Sequence, residues 1–161
     1  MHRFLFLQLC RALFVPYATA QPDTATIHIA RPGCTVDLSV ERVRALPLHE
    51  ATVTERDGGT ATFQGAWLSD VLDLGCDSTA RLDKHGTLRA VVKVTAVDGF
   101  TAVVAMAEVF NDFSEQPVLL AWSRNGQRLS ERHGPFQLVV PDDRKPGRNV
   151  RQVKVLEVIT P

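Results

Sequence analysis

The segment that most constrains the fold is the stretch at 133–159, which reads HGPFQLVVPDDRKPGRNVRQVKVLEVI. Its apolar, β-branched run at 136–140 is too short for a helix and ends at a proline, so it predicts a buried strand. A polar loop follows at 141–148, and a loosely alternating pattern then predicts a second strand at 150–159. One slip in that alternation, near Gln152, is typical of a β-bulge. Because strands hold such a loop rigidly while solvent reaches its side chains, the segment predicts a functional site at a sheet end.

Residues 1–20 predict a signal peptide rather than a part of the fold. They begin with basic residues, continue with an apolar run at 4–9, and end in Ala-Thr-Ala, the small-x-small pattern that signal peptidase recognises. Arg11 splits the apolar core of this segment, so an amphipathic N-terminal helix is the alternative. The run is too short and too interrupted to span a bilayer. We therefore expect a periplasmic or secreted domain at 21–161 without a membrane span.

Charge and length narrow the classes of protein further. The chain has 161 residues, which predicts one domain, and its 18 basic residues are balanced by 18 acidic ones. A nucleic-acid binder would show a one-sided basic excess, so no nucleic-acid partner is expected.

Most of the remaining chain predicts short strands joined by tight turns. Asp57-Gly58 lies between two alternating runs, which is a strong hairpin signal, and Pro32-Gly33 separates another such pair. Three short helices are predicted, the first beginning at Ser39. Because strands and helices do not alternate regularly, we predict a β-rich α+β domain rather than a doubly wound nucleotide fold. The further predicted strands are 26–29, 35–38, 51–55, 60–64, 88–97, 100–105 and 118–122, and the other helices are 66–74 and 107–110.

Two cysteines, Cys34 and Cys76, follow the predicted signal peptide. In an exported protein they could form a disulfide, which would stabilise the fold by about 4 kcal/mol in the chain-entropy model. Two separate buried thiols are the alternative. The sequence has no Cys-x-x-Cys pair, so it predicts neither a zinc ribbon nor a redox dithiol.

Motifs for several common chemistries are missing from the sequence. It has no Gly-x-Ser-x-Gly elbow, no His-Glu-x-x-His pair and no glycine-rich phosphate loop. Asp142 and Asp143 are adjacent to Arg144 and Lys145, which predicts mutual neutralisation in water rather than a catalytic carboxylate pair. No catalytic residue and no metal ligand is therefore predicted.

An ordered series of motifs resembles the oxidoreductase molybdopterin-binding domain family, which has the fold of sulfite oxidase and plant nitrate reductase. The resemblance covers about residues 26–159 and implies a short, stand-alone member. It also implies a mixed, β-rich α+β fold with short helices that holds a pterin-dithiolene cofactor over loops at the sheet ends. The motifs are Leu-Pro at 46–47, Asp-Gly at 57–58, Phe-Gln-Gly-Ala-Trp-Leu at 63–68, Val-Asp-Gly-Phe at 97–100, Leu-Ala-Trp at 120–122, Asn-Gly at 125–126, His-Gly-Pro at 133–135 and Leu-Val-Val-Pro at 138–141.

The resemblance also draws attention to a missing cysteine. Catalytic members of the family bind molybdenum through a cysteine in the strand and loop after the Leu-Pro helix. The matching stretch here, 51–59, reads ATVTERDGG and has none. Cys34 precedes that helix and Cys76 lies well beyond the stretch, so neither matches the ligand position. Without the soft thiolate, the usual metal centre cannot form in the same way.

Four residues are predicted to contact a cofactor by the same resemblance: His133, Gln137, Arg148 and Arg151. Gln137 stands where relatives commonly have an arginine, and it brings a hydrogen-bond donor without the charge. The two arginines match basic residues that approach the cofactor phosphate or pterin, with solvated strand-end charges as the alternative. For His133 the alternative is a turn histidine with a local hydrogen bond. Arg124 is either a cleft residue or an ordinary turn charge.

Two functions follow from these expectations. The first is a non-catalytic module that binds a small anionic ligand or a periplasmic protein partner. The alternative is an oxidoreductase that binds molybdopterin without a cysteine ligand, so the expected cofactor is molybdopterin or none.

Overall fold

Two β-sheets form the scaffold in the computed structural model, which describes residues 25–55, 57–76, 82–110 and 112–161. Four short α-helices and one 3-10 turn, at Pro146–Arg148, connect the strands within those residues. This arrangement confirms the predicted β-rich α+β class. The elements are, in chain order, β1 (Thr26–Arg31), β2 (Cys34–Ser39), α1 (Val40–Arg44), β3 (His49–Thr54), β4 (Thr60–Trp67), α2 (Leu68–Asp73), α3 (Lys84–Arg89), β5 (Val91–Ala96), β6 (Thr101–Ala105), α4 (Met106–Val109), β7 (Leu119–Arg124), β8 (Gln127–Arg128), β9 (Gln137–Val139) and β10 (Val153–Ile159).

The first sheet has the strand order β2-β1-β10-β5-β6, in which β1 and β10 run parallel and the other neighbours antiparallel. Alternate side chains of its strands point to one face, as period-two geometry requires. The buried residues of that face include Ile27, Val92 and Leu156, and each is fully shielded from solvent. Val40 and Val43 of α1 join the same hydrophobic core. The hydroxyl of Ser39 accepts a hydrogen bond from the backbone N–H of Arg42 and caps this helix.

The second sheet has the order β3-β4-β7-β8, and β9 also pairs with β7. Gly65 lets β4 approach β7 closely, because a Cβ at this position would lie 2.1 Å from the carbonyl oxygen of Leu120. The register between the two strands shifts at the same place, between Gln64 and Gly65. A side chain at position 65 would therefore push apart the two strands that carry one wall of the site described below.

The segment at 133–159 connects the two sheets. Its first strand, β9, belongs to the second sheet, and its last, β10, belongs to the first. Backbone hydrogen bonds tie the ends together: Leu138 N–H donates to Val150 O at 2.8 Å, and Val153 N–H donates to Phe136 O at 3.0 Å. The polar loop between the strands is thereby held at both ends, as the sequence predicted.

Three predicted element boundaries were wrong. The strand predicted at 88–97 begins only at Val91, because the chain before it forms α3, which Asp83 caps by accepting a hydrogen bond from Gly86 N–H at 2.6 Å. The strand predicted at 150–159 begins at Val153, since Gln152 has a φ of 49°. The helix predicted at 66–74 is shorter in the structure: α2 spans only Leu68–Asp73, because β4 continues through Trp67. The slip near Gln152 is confirmed by a register shift between Val153 and Val155.

A disulfide joins Cys34 to Cys76, with Cα atoms 6.0 Å apart, and this decides between the two alternatives for the cysteines. It links the edge strand of the first sheet to the chain just after α2. Arg31 makes a second link nearby, since its guanidinium donates to Leu72 O at 2.7 Å and to Asp73 Oδ1 at 3.0 Å.

The predicted signal peptide at 1–20 lies outside the described residues. Among the described residues, no helix has the length and apolar character needed to cross a membrane.

Candidate functional site

A cleft of about 420 Å³ lies against the second sheet, where the chain crosses towards the first. Its walls come from the end of β3, the middle of β4, the end of β7, the start of β9 and the loop that precedes β10. The lining residues are Val53, Thr54, Glu55, Phe63, Arg124, His133, Gln137, Pro146, Asn149 and Arg151. A concavity therefore lies at the sheet end where a functional site was predicted.

Positive charge gathers on one side of the cleft. Arg124 and Arg151 line it directly, and Arg132 is close enough to act on His133. Burial lowers the pKa of His133, and the charges of Arg151, Arg124 and Arg132 lower it further. The neighbouring guanidinium charges disfavour a further positive charge on the imidazole. This side of the cleft is therefore suited to an anion.

Arg124 is fixed by Glu55, whose carboxylate accepts a hydrogen bond from its guanidinium. The strand register places Arg124 opposite Phe63 on the neighbouring strand β4, and both residues line the cleft. Arg124 therefore lines the cleft and is not merely a turn charge. The adjacent Asn125 stabilises the turn, because its side-chain oxygen accepts a hydrogen bond from Thr62 N–H at 2.9 Å.

Gln137 contributes a buried amide to the cleft wall. Its side chain is 6 % exposed, and no described residue donates a hydrogen bond to its Oε1. The backbone of Gln137 is fixed by pairing with Ala121 on β7, and the side-chain Oε1 is shielded from solvent. An unpaired polar atom in such a position is unusual in folded proteins, where nearly all buried polar atoms have a partner.

His133 lines the cleft. It also makes a local hydrogen bond, as expected from its alternative interpretation as a turn histidine. Its Nδ1 lies 2.8 Å from the hydroxyl of Ser130, and its backbone carbonyl accepts a hydrogen bond from Gln152 N–H at 2.9 Å. The turn therefore positions the imidazole at the cleft edge. A cofactor contact by His133 stays a prediction.

Arg148 is placed differently from the other three predicted residues, because it is not among the described residues that line the cleft. Its guanidinium makes four hydrogen bonds, two to Glu108 at 3.0 Å and two to Asp143 at 2.6 and 3.0 Å. The hydrogen bonds from Arg148 lower the pKa of Glu108 against the opposing effect of burial. Arg148 thus links the polar loop to α4. The predicted contact between Arg148 and a cofactor stays a prediction.

Several cleft residues were not found from the sequence. Glu55 and Phe63 reach the cleft only because β3 and β4 pair as a hairpin beside β7. Asn149 lies there because its Oδ1 accepts a hydrogen bond from Val140 N–H at 3.1 Å, which folds the loop back on itself. The Asp-Gly hairpin and the Asn-Gly turn were visible signals, but they do not reveal which strand lies next to which.

The donor atoms of the cleft do not fit a metal held by thiolate. Both cysteines of the described part of the chain are joined in the disulfide, and neither lines the cleft. The described residues also contain no group of three or more histidine, cysteine, aspartate or glutamate side chains suited to a metal ion. The guanidinium groups, in contrast, suit the phosphate of a pterin cofactor or another anion.

Comparisons with known proteins agree with these features. The family model described as "Oxidoreductase molybdopterin binding domain" matches residues 25–160. Mitochondrial sulfite oxidases are similar in sequence, with 28% identity over 153 residues for the protein of Rattus norvegicus, 27% over 153 for that of Homo sapiens and 29% over 157 for that of Mus musculus. Each alignment covers 79% of this chain, which spans only 28% of the length of those relatives. Because the family model covers most of the chain, this protein belongs to the oxidoreductase molybdopterin binding domain family.

Proposed function

We propose that this protein is a non-catalytic binding domain that holds a small anionic ligand in the cleft. The observation that carries the proposal is the pair Arg124 and Arg151, which line a cleft that has no thiolate. Guanidinium groups donate charge-assisted hydrogen bonds to oxyanions, which are roughly twice as strong as neutral ones. The missing thiolate removes the soft ligand that the metal chemistry of catalytic members requires.

The second candidate is an oxidoreductase that binds molybdopterin without a cysteine ligand. Family membership and the cationic side of the cleft favour it, since the phosphate of such a cofactor would find the same arginines. Arg151 and Gln137 would then contact the cofactor, together with His133. A protein partner in place of a small ligand is an outcome that the binding experiment below would reveal.

We further propose that the domain is exported to the periplasm or secreted. The Cys34–Cys76 disulfide supports this, because such bonds persist in oxidising compartments and are rare in the cytosol. Cell fractionation followed by N-terminal sequencing tests the proposal. Export with a mature N-terminus at Gln21 is expected, and an uncleaved chain in the cytosol would contradict it.

The two candidate functions differ in what the purified protein carries. The full chain is expressed in a host that makes molybdenum cofactor, and metal and pterin are then measured on the folded product. We expect no stoichiometric molybdenum, together with binding of inorganic anions measured by calorimetry. Stoichiometric molybdenum with pterin would overturn the non-catalytic proposal and favour the second candidate.

Arg151→Met tests whether the cleft is the binding site. Removing this guanidinium should weaken binding of anion or retention of cofactor by about tenfold, the loss expected for a charge-assisted hydrogen bond. Arg144→Met is the matched control, since Arg144 is exposed on the polar loop and does not line the cleft. Equal behaviour of the two variants would show that the ligand binds elsewhere.

A further inference from the structure

One outer edge of the first sheet is open and carries no charged side chain. We propose that the edge strand β6 pairs antiparallel with β6 of a second copy of this chain, so that the two first sheets become one continuous sheet. The backbone groups that make the contact belong to Thr101 and Val103. This inference concerns assembly and does not depend on the ligand of the cleft.

The register between β5 and β6 shows which backbone groups face the open side. Met106 N–H donates to Ala90 O at 2.9 Å, so these two residues form a hydrogen-bonded pair at one end of the ladder. Bonded and non-bonded pairs alternate along an antiparallel ladder, so the even-numbered residues of β6 bond to β5. The N–H and C=O groups of Thr101, Val103 and Ala105 therefore point away from β5.

Most of these outward groups are free in the described part of the chain. Ala105 N–H donates to Glu108 Oε2 at 2.8 Å, so the first turn of α4 closes that end of the edge. Neither Thr101 nor Val103 has a partner for its outward N–H or C=O group among the described residues. Both side chains are exposed, with Val103 49 % exposed. The free edge thus consists of the outward backbone groups of these two residues.

The other sheet edges formed by the described residues are protected against such pairing. β2 presents the exposed Asp37 and is fixed by the disulfide of Cys34. β3 presents the exposed Glu50, β8 has only two residues, and β9 is buried. Proteins protect sheet edges with charged side chains, short strands or covering chain, whereas β6 reads Thr-Ala-Val-Val-Ala. An uncharged, open edge is suited to pairing with another strand.

A second copy fits this edge by symmetry. When Thr101 lies opposite Val103 of the other copy, a twofold axis beside Ala102 generates the same pair again. Each such pair exchanges two N–H···O hydrogen bonds, which uses every free N–H and C=O group of the two residues in both copies. Ala105 N–H is not needed in this register and keeps its hydrogen bond to Glu108.

The charges beside the edge allow the same surface to meet itself. Lys93, which lies opposite Val103 on β5, is paired with Glu157 at 3.3 Å, and Glu108 is paired with Arg148. The Lys93 residues of the two copies would be three strand spacings apart, about 14 Å, beyond the Debye length of about 8 Å at physiological salt. Stable interfaces bury about 1,200–2,000 Å², far more than one short strand offers, so the dimer should be weak and reversible.

Sedimentation equilibrium of the purified full chain, over about 1 µM to 1 mM, tests the inference. The weight-average mass should rise from that of one chain towards that of two as the concentration increases. Val103→Lys places a charge on each copy beside the twofold axis, so it should raise the dissociation constant at least about tenfold. Thr35→Lys is the matched control, since Thr35 is exposed on β2 at the opposite edge of the same sheet, and it should dimerise as the wild-type chain does.

Amide hydrogen exchange followed by NMR identifies the interface. The N–H groups of Thr101 and Val103 should exchange rapidly in dilute protein and at least about tenfold more slowly in concentrated protein. Those of Ala102 and Val104 bond to β5 and should be protected at both concentrations. Val103→Pro removes an outward N–H without removing a bond to β5, so it should weaken the dimer while the circular dichroism spectrum stays that of the wild-type chain.

Three results would overturn the inference. One is a chain that stays monomeric up to about 1 mM. Another is a dimer in which the amides of Thr101 and Val103 exchange as fast as in the monomer, because the interface then lies elsewhere. The third is protection of these two amides in the dilute monomer, which would mean that another part of the same chain covers the edge.

Discussion

At the scale of single residues, Gln137 carries a cost in stability. Its side-chain oxygen is buried without a partner among the described residues, whereas Gln64 of the same sheet has both amide groups hydrogen-bonded. Buried polar groups without partners are rare in native proteins, so the unpaired oxygen should be measurable as a loss of stability.

This cost leads to a stability prediction for the ligand-free protein. Gln137→Met removes the unpaired acceptor, so it should raise the free energy of unfolding by about 1 kcal/mol. Gln64→Met breaks satisfied hydrogen bonds and should lower it. Urea unfolding of both variants in phosphate-free buffer measures the difference. A Gln137→Met protein less stable than the Gln64→Met protein would contradict the interpretation.

His133 leads to a prediction about pH. Its folded-state pKa is lowered from the ordinary 6.5 by burial and by the neighbouring arginines. The unfolded chain therefore takes up the proton first as pH falls, and the folded protein loses stability from about pH 7 downwards until its own lowered pKa is reached. His133→Gln should flatten the pH dependence of unfolding in this range.

The control for this prediction is His85→Gln, since His85 is exposed on α3 and does not line the cleft. That variant should keep the wild-type profile. A bound anion should also raise the pKa of His133, because it neutralises the surrounding guanidinium charges. NMR titration of the imidazole with and without phosphate measures this rise, and an unchanged or lower pKa would place the anion elsewhere.

At the scale of structural elements, the polar loop is held by the ion-pair cluster of Glu108, Asp143 and Arg148. Two hydrogen bonds from Arg148 to Glu108 join the loop to α4, and two from Arg148 to Asp143 lie within the loop. Pro146 and Asn149, which lie on either side of Arg148 in sequence, both line the cleft. Arg148 therefore acts on the site through the loop that carries these two residues.

Arg148→Met tests this role. The groups are partly exposed, so the loss should be modest, about 1–2 kcal/mol of unfolding free energy for the whole cluster. The pKa of Glu108 is lowered in the folded protein, so the contribution is present above the ordinary value of 4.5 and is lost as the pH falls through the lowered pKa. Arg144→Met, in the same loop, should cost little. Equal losses in thermal unfolding of the two variants would contradict the role of the cluster.

The elements also show what sequence patterns can predict here. Local signals gave the correct hairpins at Pro32-Gly33 and Asp57-Gly58, because turn chemistry is set by adjacent residues. The helix α3 was missed because the alternating apolar pattern at 88–97 was interpreted as a single strand, although Asp83 is a good helix cap. His133, Gln137 and Arg151 were predicted together and lie together in the cleft. Glu55 was not predicted to lie in the cleft, because its position depends on pairing between strands that are distant in the sequence.

At the scale of the whole molecule, two of the connections between the sheets have different roles. One is the segment 133–159, which passes from β9 to β10. The other is the Cys34–Cys76 disulfide, which ties β2 of the first sheet to the chain after α2, the helix that continues from β4 of the second. The cleft lies at the first connection, and the disulfide is not among its lining residues. This division keeps the cysteines in a structural role, away from the cleft.

The disulfide should accordingly stabilise the protein without affecting the ligand. Its cysteines are 42 positions apart, so removing the bond should cost about 4 kcal/mol by the entropy of loop closure in the unfolded chain. A Cys34→Ser, Cys76→Ser double variant and the wild-type chain under reductant should show this loss in urea unfolding. Where each remains folded, anion affinity should be unchanged. A changed affinity, or a reduced wild-type chain as stable as the oxidised one, would mean that the cysteines are not a structural link between the sheets.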